Sequence, residues 1–161
     1  MGVEGSARPP AGRGGRWVAA QGVLLLAVFG VGIVAPDWPA SVRSAFRVVD
    51  VLLALAGLTL ALSGIRHLGP SLTPFPAPVE GGELREDGVY ALVRHPIYGG
   101  GWLVALGWSL WASPWALVPT VLLAILFEGK RRCEEAWLLE RYPGYEAYRA
   151  AVPRRFIPFV V

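Results

Sequence analysis

The sequence predicts an all-α integral membrane protein with about four transmembrane helices, the last two forming a tight hairpin. Three observations lead to this fold class. Hydrophobic residues make up 54% of the 161 residues, and charged residues only 17%, whereas soluble domains carry about 25% charged residues. Several uncharged stretches are long enough to enter or cross a bilayer. The basic residues fall almost entirely on one side of the resulting topology.

The N-terminal region combines a polar tail with a first predicted span. Residues 1–15 are rich in Gly, Pro and Arg, so we expect a disordered cytoplasmic tail. Residues 16–161 are predicted to form a single membrane-embedded domain. Residues 17–35 carry no charge and predict a retained helix. A cleaved signal peptide is the alternative, although its apolar core is normally about 7–15 residues long.

The second predicted span covers residues 48–65 and follows a turn at Pro36–Pro39. Asp50 lies near the start of this span. We expect it near the lipid headgroups, paired with Arg43 or Arg47, because an unpartnered charge in hydrocarbon is unfavourable. A buried functional carboxylate is the alternative.

The uncharged stretch 97–127 decides the predicted topology. One straight helix of that length would extend about 46 Å at 1.5 Å per residue, which exceeds a hydrocarbon core of about 30 Å. Ser113-Pro114 near the middle indicates a hairpin of two short helices, residues 97–112 and 114–128. A single long helix, kinked or tilted, is the alternative.

The charge distribution favours the hairpin. With four spans and both termini in the cytoplasm, all 15 Lys and Arg residues except Arg43 and Arg47 face the cytoplasm. A single long helix would move the basic segment from Lys130 onward to the other side and weaken this bias. We therefore predict a multi-pass protein of the plasma or inner membrane, with a helical cytoplasmic tail at the C-terminus.

Two polar segments flank the predicted hairpin. The first, Arg94–Gly100, combines charged, titratable and glycine residues that lipid-facing helices do not need. The second contains Glu134 and Glu135 and is followed by a short helix predicted at Tyr145–Val152. Because the hairpin returns the chain to the same membrane face, we expect the two segments to lie close together.

These segments carry a family resemblance. Gly88–Gly100 resembles the RHPxYxG motif, and Glu134–Leu138 resembles the EExxL motif. Together with Tyr145–Pro158, they make the chain similar to the superfamily of isoprenylcysteine carboxyl methyltransferases and phospholipid methyltransferases. The resemblance covers about residues 68–158. It implies a membrane-embedded methyltransferase that uses S-adenosylmethionine.

The resemblance implies that both motifs form the cofactor pocket. Arg94 and His95 can bind the cofactor carboxylate, and Glu134 or Glu135 can bind its ammonium group or ribose. Tyr90, Tyr98 and Trp102 can flank the adenine or the sulfonium. The predicted catalytic residues are Arg94, His95 and Glu135. The predicted cofactor-binding residues are His95, Pro96, Tyr98, Gly100, Tyr90, Glu134 and Glu135.

The methyl acceptor is predicted to be lipidic or small and amphipathic, and to enter from the bilayer. A carboxylate or thiolate acceptor needs no general base, whereas an ammonium must first lose a proton, which His95 can accept. The predicted substrate-binding residues are Arg141, Arg154 and Trp102. They include two cations for an acidic acceptor.

Other function classes have weaker support in the sequence. The single Cys133 and the absence of Cys/His ligand spacing give no metal site. The basic residues are not clustered as nucleic-acid binding requires. A membrane reductase that resembles steroid reductases and uses NADPH remains an alternative, as does a non-catalytic membrane scaffold.

Overall fold

The computed structural model describes residues 12–159, and this part of the chain contains helices and loops without any strand. The predicted all-α class is therefore confirmed. Residues 1–11 of the predicted tail lie outside the described residues, and Gly15 already begins the first helix. The helices are α1 (Gly15–Val34), α2 (Ala40–Leu68), α3 (Pro96–Ala112), α4 (Leu117–Arg141) and α5 (Tyr145–Ala151).

Both N-terminal helices are long and apolar enough to cross a membrane. α1 has 20 residues and extends about 30 Å, while α2 has 29 residues and extends about 43 Å. α2 begins eight residues before the predicted span (48 − 40 = 8). The span was placed by hydropathy, but Arg and Ser are compatible with helix, so the helix continues through the polar segment around Arg43 and Arg47.

α3 and α4 form the predicted hairpin, with the turn at Ser113 and a short 3-10 helix at Pro114–Ala116. The Ser113 hydroxyl donates a hydrogen bond to the Pro36 carbonyl (2.7 Å), which ties the hairpin to the α1–α2 turn. α4 does not stop at residue 128 but continues to Arg141. Both glutamates of the second polar segment are therefore on this one continuous helix.

Close backbone packing brings α2 against α3. Gly57 and Gly100 lie at this contact, and a Cβ on either residue would collide with backbone atoms of the opposite helix. α3 also contacts α1 and α4, and α1 contacts α4, whereas α1 and α2 do not pack closely against each other. A cleft therefore lies between α1 and α2, with α3 beneath it.

The outer surface of the bundle is apolar. Large hydrophobic side chains are exposed along α1, α2 and α4, including Leu26, which is 77% exposed, and Ile125, which is 64% exposed. An apolar surface of this extent is unusual on a soluble monomer. It matches helices whose outer faces contact lipid.

Candidate active site

The segment Arg94-His95 is fixed by the C-terminal segment that follows α5. The backbone N–H groups of Arg94 and His95 donate to the carbonyls of Arg154 (3.1 Å) and Arg155 (2.7 Å). His95 is the N-cap of α3, and Pro96 occupies the first helical position, where its missing N–H has no cost. The chain end therefore holds the first motif in place.

A buried ionic cluster joins the two motifs. Glu135 is 5% exposed, and its Oε1 accepts hydrogen bonds from Arg94 Nε and His95 Nε2, both at 3.0 Å. Its Oε2 accepts from Arg131 NH1 at 2.8 Å. Arg94 also donates to the Val152 carbonyl. We call Arg94, His95, Arg131 and Glu135 the buried clamp.

The clamp keeps Glu135 ionised. Burial acts to raise the pKa of Glu135, but the hydrogen bond from His95 and the charges of His95, Arg131 and Arg94 outweigh it and hold the pKa at about 2. Both carboxylate oxygens already have partners. Glu135 therefore orients His95 and Arg94, and it does not line the adjacent cavity.

The cavity beside the clamp has a volume of about 440 Å³, within the range of small-molecule sites. Its walls come from α1, α2, the proline-rich loop before α3, and the polar parts of α3, α4 and α5. One side is apolar and includes Leu25, Ala61, Ile65 and Leu68. The opposite side presents charged and hydroxyl groups.

Glu134 faces the cavity, unlike its neighbour Glu135. Its side chain is 26% exposed, and one of its oxygens lies 3.9 Å from His95 Nδ1. It also accepts a hydrogen bond from the Tyr98 hydroxyl. The Tyr98 ring is stacked between His95, at 5.5 Å between centroids, and Phe127, at 5.1 Å. The faces of this ring are therefore covered, and its hydroxyl is held by Glu134.

Lys130 lies beside the Tyr98 ring and is only 1% exposed. Its Nζ donates to Gln21 Oε1 of α1 at 2.6 Å and lies 5.0 Å from the Tyr98 ring centroid. Within residues 12–159, no carboxylate is within ion-pair distance of Lys130. Burial lowers the pKa of Lys130, and the charge of Glu134 partly offsets this effect.

Tyr145 supplies a hydroxyl that has no hydrogen-bond partner in the described part of the chain. The residue is 1% exposed and lines the cavity, and burial raises its pKa. The nearby Tyr148 hydroxyl, in contrast, donates to the Tyr90 carbonyl at 2.8 Å. Buried hydroxyls normally have a partner, so the Tyr145 hydroxyl is suited to meet a ligand.

The structure brings five predicted site residues together around the cavity. They are Tyr90, Arg94, His95, Tyr98 and Glu134. Two others, Pro96 and Gly100, are buried against α2, where they contact Gly64, Gly57 and Ala61.

The three predicted substrate-binding residues lie away from the cavity lining. Trp102 Nε1 donates to the Thr120 carbonyl at 3.1 Å, between α3 and α4. The Arg141 guanidinium lies 6.0 Å from the Tyr142 ring, and that of Arg154 lies 5.5 Å from the Phe159 ring. Sequence reasoning missed four residues of the site. They are Gln21, Lys130, Arg131 and Tyr145.

A comparison with models of known protein families finds a match for this chain. The family model described as "Phospholipid methyltransferase" matches residues 46–144, which is more than half of the chain. The chain belongs to the phospholipid methyltransferase family. The matched region contains both motifs. A comparison with curated proteins finds no match.

Membership of the phospholipid methyltransferase family confirms the resemblance seen in the sequence and points to a membrane methyltransferase. The matched region ends before α5 and begins after α1. Yet α1 contributes Gln21 to the cavity, and α5 contributes Tyr145. The cavity is therefore completed by elements outside the family match.

Proposed function

We propose that the protein transfers a methyl group from S-adenosylmethionine to a lipidic or small amphipathic acceptor. Members of the phospholipid methyltransferase family generally use this cofactor. The observation that carries the proposal is the pair Lys130 and Glu134. They are four residues apart on α4, share one helix face and line the same cavity with opposite charges. Such a pair suits a zwitterion like the amino-acid end of the cofactor.

The roles of the charged residues follow from which of them already have partners. Arg94 is engaged by Glu135 and by the Val152 carbonyl, so we assign the cofactor carboxylate to Lys130. Glu134 then receives the ammonium group. The Tyr145 hydroxyl binds a polar group of the ribose or adenine, because it is buried at the cavity and has no partner in the part of the chain that the structure describes.

The proposed reaction is an in-line displacement. A lone pair of the acceptor forms a bond to the methyl carbon, the carbon–sulfur bond breaks, and its electron pair stays on sulfur as S-adenosylhomocysteine. The positive charge on sulfur disappears in this step, so no oxyanion site is needed. Alignment of the two reactants and exclusion of water supply the acceleration.

His95 is the proposed base where the acceptor is an amine. Its Nε2 faces Glu135 at 3.0 Å, which favours the tautomer with the proton on Nε2. Nδ1 then keeps its lone pair on the side of Glu134 and the cavity. A carboxylate that fixes a histidine tautomer is a common device. With a carboxylate or thiolate acceptor, no proton transfer is required.

The cleft between α1 and α2 is the proposed entry path for the acceptor. Its side of the cavity is apolar, with Leu25 on α1 and Ile65 on α2. We propose four spans at about residues 17–35, 48–65, 97–112 and 114–128, with both termini cytoplasmic and the cavity at that face. Because the cavity uses residues from Gln21 to Tyr148, we propose one domain over residues 16–161.

Calorimetric titration of the detergent-purified protein with S-adenosylmethionine, and separately with NADPH, tests the proposed function. We expect saturable binding of S-adenosylmethionine and no binding of NADPH. Binding of NADPH alone would support a reductase. No binding of S-adenosylmethionine by protein that elutes as a folded species would contradict the proposal.

A further inference from the structure

A second cavity lies at the opposite end of the bundle from the candidate active site. Its volume is about 210 Å³, and it is bordered by α1, α2 and α3. Along α3, Trp111 of this cavity is 16 residues from His95, a distance of about 24 Å. The cavity is lined mainly by Arg43, Arg47, Asp50, Asp37, Trp108 and Trp111.

Asp50 is a buried carboxylate without a cationic partner among the described residues. It is 4% exposed, because Gly107 lets the α3 backbone approach; a Cβ at Gly107 would lie 2.8 Å from the Asp50 carbonyl oxygen. Its carboxylate accepts a hydrogen bond only from the neighbouring Val51 N–H, and no cation of residues 12–159 is within ion-pair distance. An unpaired buried carboxylate is costly.

The expected pairing of Asp50 with an arginine is not observed. Arg43 pairs instead with Asp37 at 2.8 Å. Arg47 has no carboxylate partner in the described chain, and its guanidinium lies 6.0 Å from the Trp111 ring centroid. The spacing of Arg43, Arg47 and Asp50 places all three on one helix face. An unpaired cation and an unpaired buried anion therefore border the same cavity.

We propose that this second cavity binds the zwitterionic headgroup of an amine-bearing phospholipid. Arg47 contacts the phosphate, because guanidinium groups bind phosphate oxygens well. Asp50 receives the ammonium group, beside the tryptophan rings, which attract cations. The proposal is independent of the active-site assignment, since the lipid here is a bound component and does not react.

The surroundings favour a membrane lipid over a soluble zwitterion. Val48, Val51 and Leu52 next to the cavity are between 51% and 66% exposed, which gives acyl chains an apolar face of α2 to follow. Trp111 is 55% exposed at the same level, as expected for an aromatic residue at the membrane interface.

Lipid binding to the delipidated, detergent-solubilised full chain tests the proposal by native mass spectrometry. The probes are phosphatidylethanolamine and phosphatidylglycerol with the same acyl chains. We expect wild type to prefer phosphatidylethanolamine about tenfold, the size of one charge-assisted hydrogen bond. Asp50→Asn should remove this preference by lowering the affinity for phosphatidylethanolamine alone. Arg47→Gln should lower the affinity for both lipids.

The control is Arg66→Gln, an exposed arginine at the other end of α2, which should leave both affinities unchanged. Soluble phosphoethanolamine should compete only weakly with phosphatidylethanolamine for the site. Competition as strong as that of the lipid itself would contradict the proposal that a membrane lipid is the ligand. An unchanged preference in folded Asp50→Asn would overturn the ammonium site. Since Arg47 is exposed, Arg47→Gln should fold normally, and unchanged affinity for both lipids would overturn the phosphate site.

Discussion

Two sets of oppositely charged residues, one residue apart on α4, have different surroundings. Arg131 and Glu135 belong to the buried clamp, where Glu135 also meets Arg94 and His95. Lys130 and Glu134 face the 440 Å³ cavity and form no ion pair with each other within 4.0 Å. A step of one residue turns a helix by about 100°. A basic and an acidic residue therefore form a buried ion pair on one face of α4, whereas on the next face they line the cavity without pairing with each other.

The largest expected effect is the loss of the clamp. Glu135→Gln removes the charge that compensates Arg94 and Arg131, and breaking a buried pair typically costs about 3–5 kcal/mol. We expect the free energy of unfolding in detergent to fall by about that amount. Glu134→Gln should change it by less than about 1 kcal/mol, because Glu134 is partly exposed. Equal stability of the two variants would contradict the division between the faces.

Acid pH should weaken the same clamp. The pKa of Glu135 is about 2 in the folded protein, against 4.5 as the ordinary value. A lowered folded-state pKa means that its contribution is complete above about pH 4.5 and is lost as the pH falls toward 2. The difference corresponds to about 3 kcal/mol. Chemical unfolding measured from pH 6 to pH 2 should show this fall in the free energy of unfolding. The Glu134→Gln variant should show the same fall, because it keeps Glu135.

The smallest expected effects separate two neighbouring tyrosines. Tyr145→Phe removes a hydroxyl that has no partner within residues 12–159, so stability should stay within about 0.5 kcal/mol while S-adenosylmethionine affinity falls about tenfold. Tyr148→Phe removes the hydrogen bond to the Tyr90 carbonyl and should cost about 1 kcal/mol of stability. Titration and thermal unfolding of both variants provide the check. The opposite pattern would place the ligand contact on Tyr148.

Much of this architecture could be predicted from the sequence because hydropathy and helix breakers are local signals. The hairpin turn at Ser113-Pro114 and the short helix that begins at Tyr145 are both confirmed. The hairpin predicts that the two polar segments lie close together, and His95 does lie beside Glu134 and Glu135. The sequence predicts a membrane span from residue 48, whereas α2 already begins at Ala40, since charged residues near a membrane surface do not end a helix.

The details of the site depend on how the helices pack against one another, which local sequence patterns do not show. Which glutamate faces the cavity depends on the rotation of α4 about its axis relative to α3. The EExxL motif contains both glutamates and does not distinguish between them. The burial of Lys130 depends on Gln21, 109 residues away. Gly100, a predicted cofactor residue, packs against α2, while the adjacent Gly101 lines the cavity.

The most direct test of the central claim pairs a change in the protein with a change in the ligand. The affinities of wild type and Lys130→Gln would be measured for S-adenosylhomocysteine and for its decarboxylated analogue, with exposed Arg132→Gln as the control. We expect wild type and the control to bind S-adenosylhomocysteine about 10–100-fold more tightly than the analogue, and Lys130→Gln to bind both about equally. An undiminished preference in folded Lys130→Gln would contradict the assignment of the carboxylate to Lys130.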